Sequence, residues 1–384
     1  MIPYGRQQIS EDDISAVVSV LRSDFLTQGP AVARFEEAIA ARCGIADAVA
    51  VNSATSALHI ACMALGLGPG DRLWTVPNTF VASANCGRYC GATVDFVEID
   101  PATYNMDTVS LEKKLIEAEQ NGTLPRIVIP VHFGGQSCDM QRIAELARRF
   151  KFSVIEDASH AIGGSYLDKP VGCCEFSDIT VFSFHPVKII TTGEGGAAVT
   201  ADANLAQSMR ELRTHGITRD PSRMERNSEG GWYYEQHGLG YNYRMTDISA
   251  ALGESQLTRL DGFLERRRAL AARYDTILAG SPVKLPGRIE GASSSWHLYV
   301  VRVPADVGGG RAKVYERMRA AGIGVNVHYI AVHLQPYYLA LGFGPGDFPA
   351  SELYSEEALT LPLHAGLTDE QQDTVVHALL EATH

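Results

Sequence analysis

The sequence predicts an α/β protein: a mostly parallel sheet covered by helices on both faces, followed by a smaller C-terminal α+β domain. Three observations carry this. Between Ala48 and Thr200, short apolar and β-branched runs alternate with segments of helical spacing, and strands interleaved with helices pair in parallel under two helical layers. The chain has 384 residues, more than one ordinary core organises, so a large domain with a smaller companion is expected. After Ser281 the strict alternation gives way to a few strands packed with helices.

In chain order, residues 11–22 and 31–43 place apolar side chains at helical spacing on either side of the loop Thr27-Gln28-Gly29-Pro30. Ala48 to Val51 is a short strand that turns through Asn52-Ser53-Ala54-Thr55 into an apolar helix ending near Gly66. Arg72 to Val76, Val94 to Ile99, Arg126 to His132 and Ser153 to Glu156 read as strands, with helical segments near 79–90, 109–119 and 139–150 between them. Ile179 to Phe184 is another strand, and Pro186 cannot extend a ladder, so the chain leaves the sheet near His185. The Gly-rich Thr191-Thr192-Gly193-Glu194-Gly195-Gly196 leads into a further strand. Ala203 to Thr214 is helical, Gly216 to Gly240 is polar and irregular, and Asp247 to Leu278 is the longest helical pattern, whose Arg266-Arg267-Arg268 run reads as a solvated face. Beyond it, strands at Tyr299 to Val303 and Gly324 to His328 pack with helices near 311–321 and 369–382. The expected division is residues 1–262 for the large domain, its N-terminal segment packing on the small one, and 263–384 for the small domain, without a flexible linker.

Composition narrows the function classes. A formal charge of −12 argues against a nucleic-acid or anionic-membrane surface, which needs a basic face. The seven cysteines are scattered without a CxxC pair, which predicts a reduced cytoplasmic thiol set rather than a disulfide framework or metal site. No charge falls between Asp47 and Asp71, yet Asn52, Ser53, Thr55, Ser56 and His59 interrupt the stretch, so it reads as strand-turn-helix and not as a membrane span.

The candidate chemistry gathers at strand ends. Lys188 lies just beyond one and is the only lysine or arginine between Lys169 and Arg210. Held in dry surroundings, such an amine loses its proton easily and forms a Schiff base with a carbonyl, the chemistry of pyridoxal 5′-phosphate (PLP) enzymes. Asp157, ending the strand Ile155-Glu156-Asp157, can keep a pyridine nitrogen protonated or serve as a plain helix N-cap. Glu156 reads as structural. His160 can hydrogen-bond a phenolic oxygen or sit as a satisfied polar group. The small residues Ser53, Ala54 and Thr55 start a helix whose free N–H groups suit a phosphate, and Ser183 can add a hydroxyl. Phe80 can lie against a heteroaromatic ring or be core.

Together, Ser53-Ala54-Thr55-Ser56-Ala57-Leu58, Pro77-x-Thr79-Phe80, Glu156-Asp157-Ala158-x-His160, Ser183-Phe184-x-x-x-Lys188, Gly193-Glu194-Gly195-Gly196 and the segment Gly240 to Asp247 resemble the DegT/DnrJ/EryC1/StrS sugar aminotransferases over nearly the whole chain. The resemblance implies a type I PLP-dependent transferase fold with a mostly parallel seven-stranded sheet, and a homodimer with active sites shared between subunits. It implies covalent attachment of PLP at Lys188, Asp157 at the pyridine nitrogen, His160 at the phenolic side and Phe80 stacked on the ring. Phosphate contacts fall to Ser53, Ala54, Thr55, Ser183 and, from the partner subunit, Asn242. Where some relatives carry histidine and dehydrate, this chain has Lys188, which favours amino transfer, with pyridoxamine phosphate as the intermediate form.

Within that family, Ile2 to Gln7, Leu26 to Pro30, Trp232 to Gln236 and Val327 to Tyr338 resemble the enzymes that aminate UDP-2-acetamido-2,6-dideoxy-4-keto-hexose in pseudaminic acid biosynthesis, with Ala331 standing where proline is expected. Implied partners are L-glutamate and a nucleotide sugar, and implied substrate contacts are Tyr4, Gln28, Arg244, His328 and Tyr329. The alternatives are another 4-keto or 3-keto dideoxysugar nucleotide, a PLP lyase or decarboxylase, and a PLP-binding regulator without turnover.

Overall fold

The computed structural model describes residues 1–226 and 228–384. Its centre is a seven-stranded sheet built from β1 (Asp47–Val51), β2 (Arg72–Thr75), β3 (Thr93–Phe96), β4 (Ile127–Val128), β5 (Ser153–Asp157), β6 (Ile179–Ser183) and β7 (Gly196–Thr200). The spatial order is β1-β7-β6-β5-β4-β2-β3. Only β7 runs against the rest, pairing antiparallel with β1 and with β6. Its first residue, Gly196, therefore lies across from the last residues of β1 and β6, Val51 and Ser183. One edge of the sheet thus collects the C-terminal ends of six strands and the start of the seventh.

Successive side chains of a strand point to opposite faces, and both faces here are buried. Leu73, Ile155, Val181 and Ala198 join the core under α3 (Ala54–Ala64), α4 (Ala82–Tyr89) and α7 (Ala203–Leu212). Trp74, Val128 and Val154 join the core under α5 (Thr108–Asn121) and α6 (Met140–Phe150). Helix α3 is buried continuously from Ser56 to Cys62. A helix apolar all round is a helix buried all round, which is why the charge-free stretch needs no membrane; no helix among the described residues is long and apolar enough to cross one. Helices α1 (Glu11–Leu21) and α2 (Pro30–Cys43) pack on α8 (Asp247–Thr258).

The predicted long helix is two. It breaks at Arg259 (φ −102°, ψ 2°) between α8 and α9 (Leu260–Ile277). The expected solvated arginine face is also corrected: Arg267 is 2% exposed and donates to the carbonyls of Trp296, His297 and Leu363 at 3.1, 3.3 and 2.9 Å. Three backbone acceptors without other donors draw the guanidinium inward. A second core of Leu270, Tyr274, Val301, Met318, Leu359 and Leu379 holds α9 against β8 (Tyr299–Arg302), β9 (Ala358–Leu361), α10 (Arg311–Ala320) and a last helix over Asp369–Ala382. β8 pairs with β9, and the strand expected at Gly324 to His328 is reduced to a single bridge, Asn326 to Thr360. The N-terminus runs beside this unit, with Ile2 bridged to Ile323 and the Leu363 N–H donating to the Tyr4 carbonyl at 3.0 Å.

Candidate active site

A cavity of about 550 Å³ opens at the strand-end edge of the sheet, lined by Ser53, Ala54, Thr55, Phe80, Asp157, His160, Ser183, Lys188, His328 and Tyr329 among others. Ten sequence-predicted residues meet there, from segments up to 276 positions apart. In mostly parallel sheets, ligands collect at this edge.

Lys188 sits in the connection between β6 and β7. Its N–H donates to the His185 carbonyl at 2.8 Å, and Phe184 and Thr192 close the turn behind it. Its partial exposure is to the cavity it lines. Loss of water around the amine lowers its pKa from 10.5 to about 8, with the Asp157 carboxylate pulling the other way.

Asp157 and Glu156 end β5 on opposite faces and so have different surroundings. The Asp157 carboxylate accepts the Ser83 hydroxyl at 2.6 Å and the Ser159 N–H at 3.1 Å, with acceptor capacity left toward the cavity. No helix begins there, so the N-cap reading of Asp157 is set aside. Glu156 turns to the other face, where it meets His132 Nε2 at 2.6 Å and accepts from Ser177 and Thr180. Burial opposes its charge, but these partners hold its pKa below the usual carboxylate range.

His160 accepts the Gly134 N–H at Nδ1 (3.3 Å), which leaves its proton on Nε2, 3.1 Å from the Tyr329 hydroxyl. Burial, then the charges of Lys188 and His328, push its pKa well below 6.5, so the ring is neutral. His328 shares a hydrogen bond with the Thr360 hydroxyl at 2.8 Å, and its pKa falls to about 3 through burial and Lys188. The Phe80 ring is more than half exposed at the rim, 6.3 Å from Tyr329. Tyr4 stands behind the wall, 5.4 Å from His328.

The residues present fit PLP. Ser53 caps α3 through the Ser56 N–H, leaving the Ala54 and Thr55 amides without intrahelical acceptors at the cavity wall. A Cβ on Gly196 would lie 2.4 Å from the Ala54 nitrogen, so the β7 backbone runs directly under that helix start as only glycine permits. Gln28 and Arg244 are elsewhere on the chain, lining a separate cleft of about 280 Å³. Exposed Asn242 pairs with Thr214, outside the Lys188 cavity. Sequence reasoning missed Ser83, which meets Asp157, and the lining residues Asn326 and Val327.

A doubly covered, mostly parallel sheet with a recessed lysine at one strand end and an aspartate at the next defines a PLP-dependent transferase of fold type I. More particularly, the chain belongs to the DegT/DnrJ/EryC1/StrS aminotransferase family, whose model matches residues 7–380. It is 39% identical over 354 residues to the GDP-perosamine synthase of Caulobacter vibrioides, covering 91% of this chain and 90% of that one. To the UDP-4-amino-4,6-dideoxy-N-acetyl-β-L-altrosamine transaminase of Campylobacter jejuni it is 37% identical, covering 95% and 93%. Its fold matches a sugar aminotransferase of Streptococcus pneumoniae in its PMP form with a TM-score of 0.91, at 32% identity and over 100% and 99% of the two chains.

Proposed function

We propose that this protein moves the amino group of L-glutamate to the C4 keto group of a nucleotide sugar, UDP-2-acetamido-2,6-dideoxy-4-keto-hexose, in pseudaminic acid biosynthesis. The observation that carries this is the recessed Lys188 amine sharing one cavity with Asp157 and the wall His328-Tyr329, in a chain similar to the altrosamine transaminase along nearly its full length.

PLP supplies an electron sink for the carbon that loses its proton. The Ala54 and Thr55 amides and the Ser183 hydroxyl would bind its phosphate, Asp157 would hold the proton of its ring nitrogen, and Phe80 would cover the ring. Lys188, with a pKa near 8, exchanges protons readily at neutral pH. In the first half of the reaction its Nζ removes the proton from the glutamate Cα; in the second it delivers one to C4 of the sugar and so fixes the configuration there. The His328-Tyr329 wall contacts the sugar, and Tyr4, which does not line the cavity, backs His328.

Gln28, Arg244 and Asn242 do not line this cavity within one chain, so we assign them to the neighbouring site of a homodimer, Asn242 on the phosphate and Arg244 on the glutamate carboxylate. The reaction belongs in the cytoplasm, where seven thiols without a disulfide among the described residues stay reduced.

The test has two stages. Incubating PLP-loaded enzyme with L-glutamate should convert it to the pyridoxamine form and release 2-oxoglutarate, and Lys188→Ala should do neither; retained turnover in that variant overturns the role of Lys188, and no half-reaction in the wild type overturns amino transfer in favour of a lyase or a non-catalytic regulator. A panel of 4-keto UDP-, GDP- and dTDP-sugars then identifies the acceptor. The similarity to GDP-perosamine synthase supports a second reading, and preference for the GDP sugar would establish it.

A further inference from the structure

The Asp157 carboxylate has one side-chain donor, and no motif singled it out. Ser83 is fully buried on the first turn of α4, and its hydroxyl lies 2.6 Å from Asp157 Oδ2. A hydroxyl has one proton to give. Donating it to the carboxylate, Ser83 Oγ is left to accept, and Thr79 Oγ1 stands 2.7 Å away to donate. Thr79 is 2% exposed and lines the cavity. A directed chain therefore runs from Thr79 through Ser83 to Asp157, ending on a buried carboxylate that lines the cavity with Lys188.

We propose that Ser83, backed by Thr79, is a positioning residue that keeps the Asp157 carboxylate aimed at the nitrogen of the PLP ring. The inference rests on the PLP-dependent reading of the site. A hydrogen bond from a hydroxyl to a carboxylate is short and about twice as strong as a neutral one, so it fixes the direction in which the carboxylate points. Removing the hydroxyl leaves Oδ2 in a dry site without its donor, so part of the carboxylate's hold on the ring nitrogen is lost. Ser83 touches neither reacting atom, so it acts through Asp157 alone.

The experiment compares wild type, Ser83→Ala and Ser83→Thr as coenzyme-free protein titrated with PLP, reading the dissociation constant and the pH midpoint of the bound coenzyme's visible band. Ser83→Ala should weaken PLP binding about tenfold and raise that midpoint, because a ring nitrogen that holds its proton less firmly puts less positive charge near the Lys188 nitrogen. Ser83→Thr keeps a hydroxyl and should restore both values. In an Asp157→Asn background, Ser83→Ala should change neither, since the group it serves is gone. Unchanged affinity and midpoint in Ser83→Ala, or a shift of equal size in the Asp157→Asn background, overturns the inference while leaving the enzyme's class intact. Failure of the wild type to take up PLP sinks the reading underneath it instead, so the two failures are distinguishable.

Discussion

Lys188 is an amine in a low-dielectric pocket, and its pKa near 8 has a sign that can be checked. Burial penalises the ammonium, so the neutral, nucleophilic form dominates above about pH 8 and not only above 10.5. The rate at which coenzyme-free protein captures PLP should therefore rise with pH and level off above a midpoint near 8, as stopped-flow absorbance would show. A midpoint above 10 would mean that the amine is solvated. At this scale the sequence was legible where residue type and chemistry coincide: Lys188, Asp157, His160 and Ser183 each lie near a strand end where the run of β-branched residues stops. It was illegible where a role depends on a partner far along the chain. Nothing local to Ser83 shows that its hydroxyl will face Asp157, 74 residues later. Nothing in the repeated Arg266-Arg267-Arg268 says that only the middle one will find three buried carbonyls.

Among elements, the one most exposed to test is the crossing of β7 under the start of α3. At Gly196 an added Cβ would meet the Ala54 nitrogen at 2.4 Å and the Ala54 Cα and Ser53 carbonyl carbon at 2.6 Å, all backbone atoms that no rotamer change can move. Gly196→Ala should cost about 1–3 kcal/mol of stability and displace the amides that receive the phosphate, lowering Tm and PLP affinity together. Gly231→Ala, with no atom within 4 Å of the added Cβ, serves as the neutral control. A Gly196→Ala variant with unchanged Tm and PLP affinity would argue against the crossing. Most helices and the sheet strands were readable because period and punctuation agreed along each of them. Failures came where they did not: Ala358–Leu361 follows directly on helix residues ending at Glu357, so no turn signal marks the strand, and Arg259 interrupts its helix without glycine or proline.

For the molecule as a whole, the separation between the Lys188 cavity and the cleft lined by Gln28 and Arg244 makes subunit sharing the decisive question. If Asn242 serves the neighbouring copy, co-expressed Lys188→Ala and Asn242→Ala chains should assemble mixed dimers in which one of the two sites carries both wild-type residues. Random pairing of two inactive parents should then recover about a quarter of wild-type turnover. Recovery of none would place Asn242 and Lys188 in one chain's site. The large-scale division of labour has a consequence of its own. The residues at the sheet rim, from Ser53 to Gly196, and those of the opposite wall, Asn326 to Tyr329, come from stretches separated by 129 intervening positions. A lineage can therefore revise the facing wall by mutation or recombination late in the gene without disturbing the grip on the vitamin, which lets one scaffold diversify its second reactant while the first half of its chemistry stays untouched.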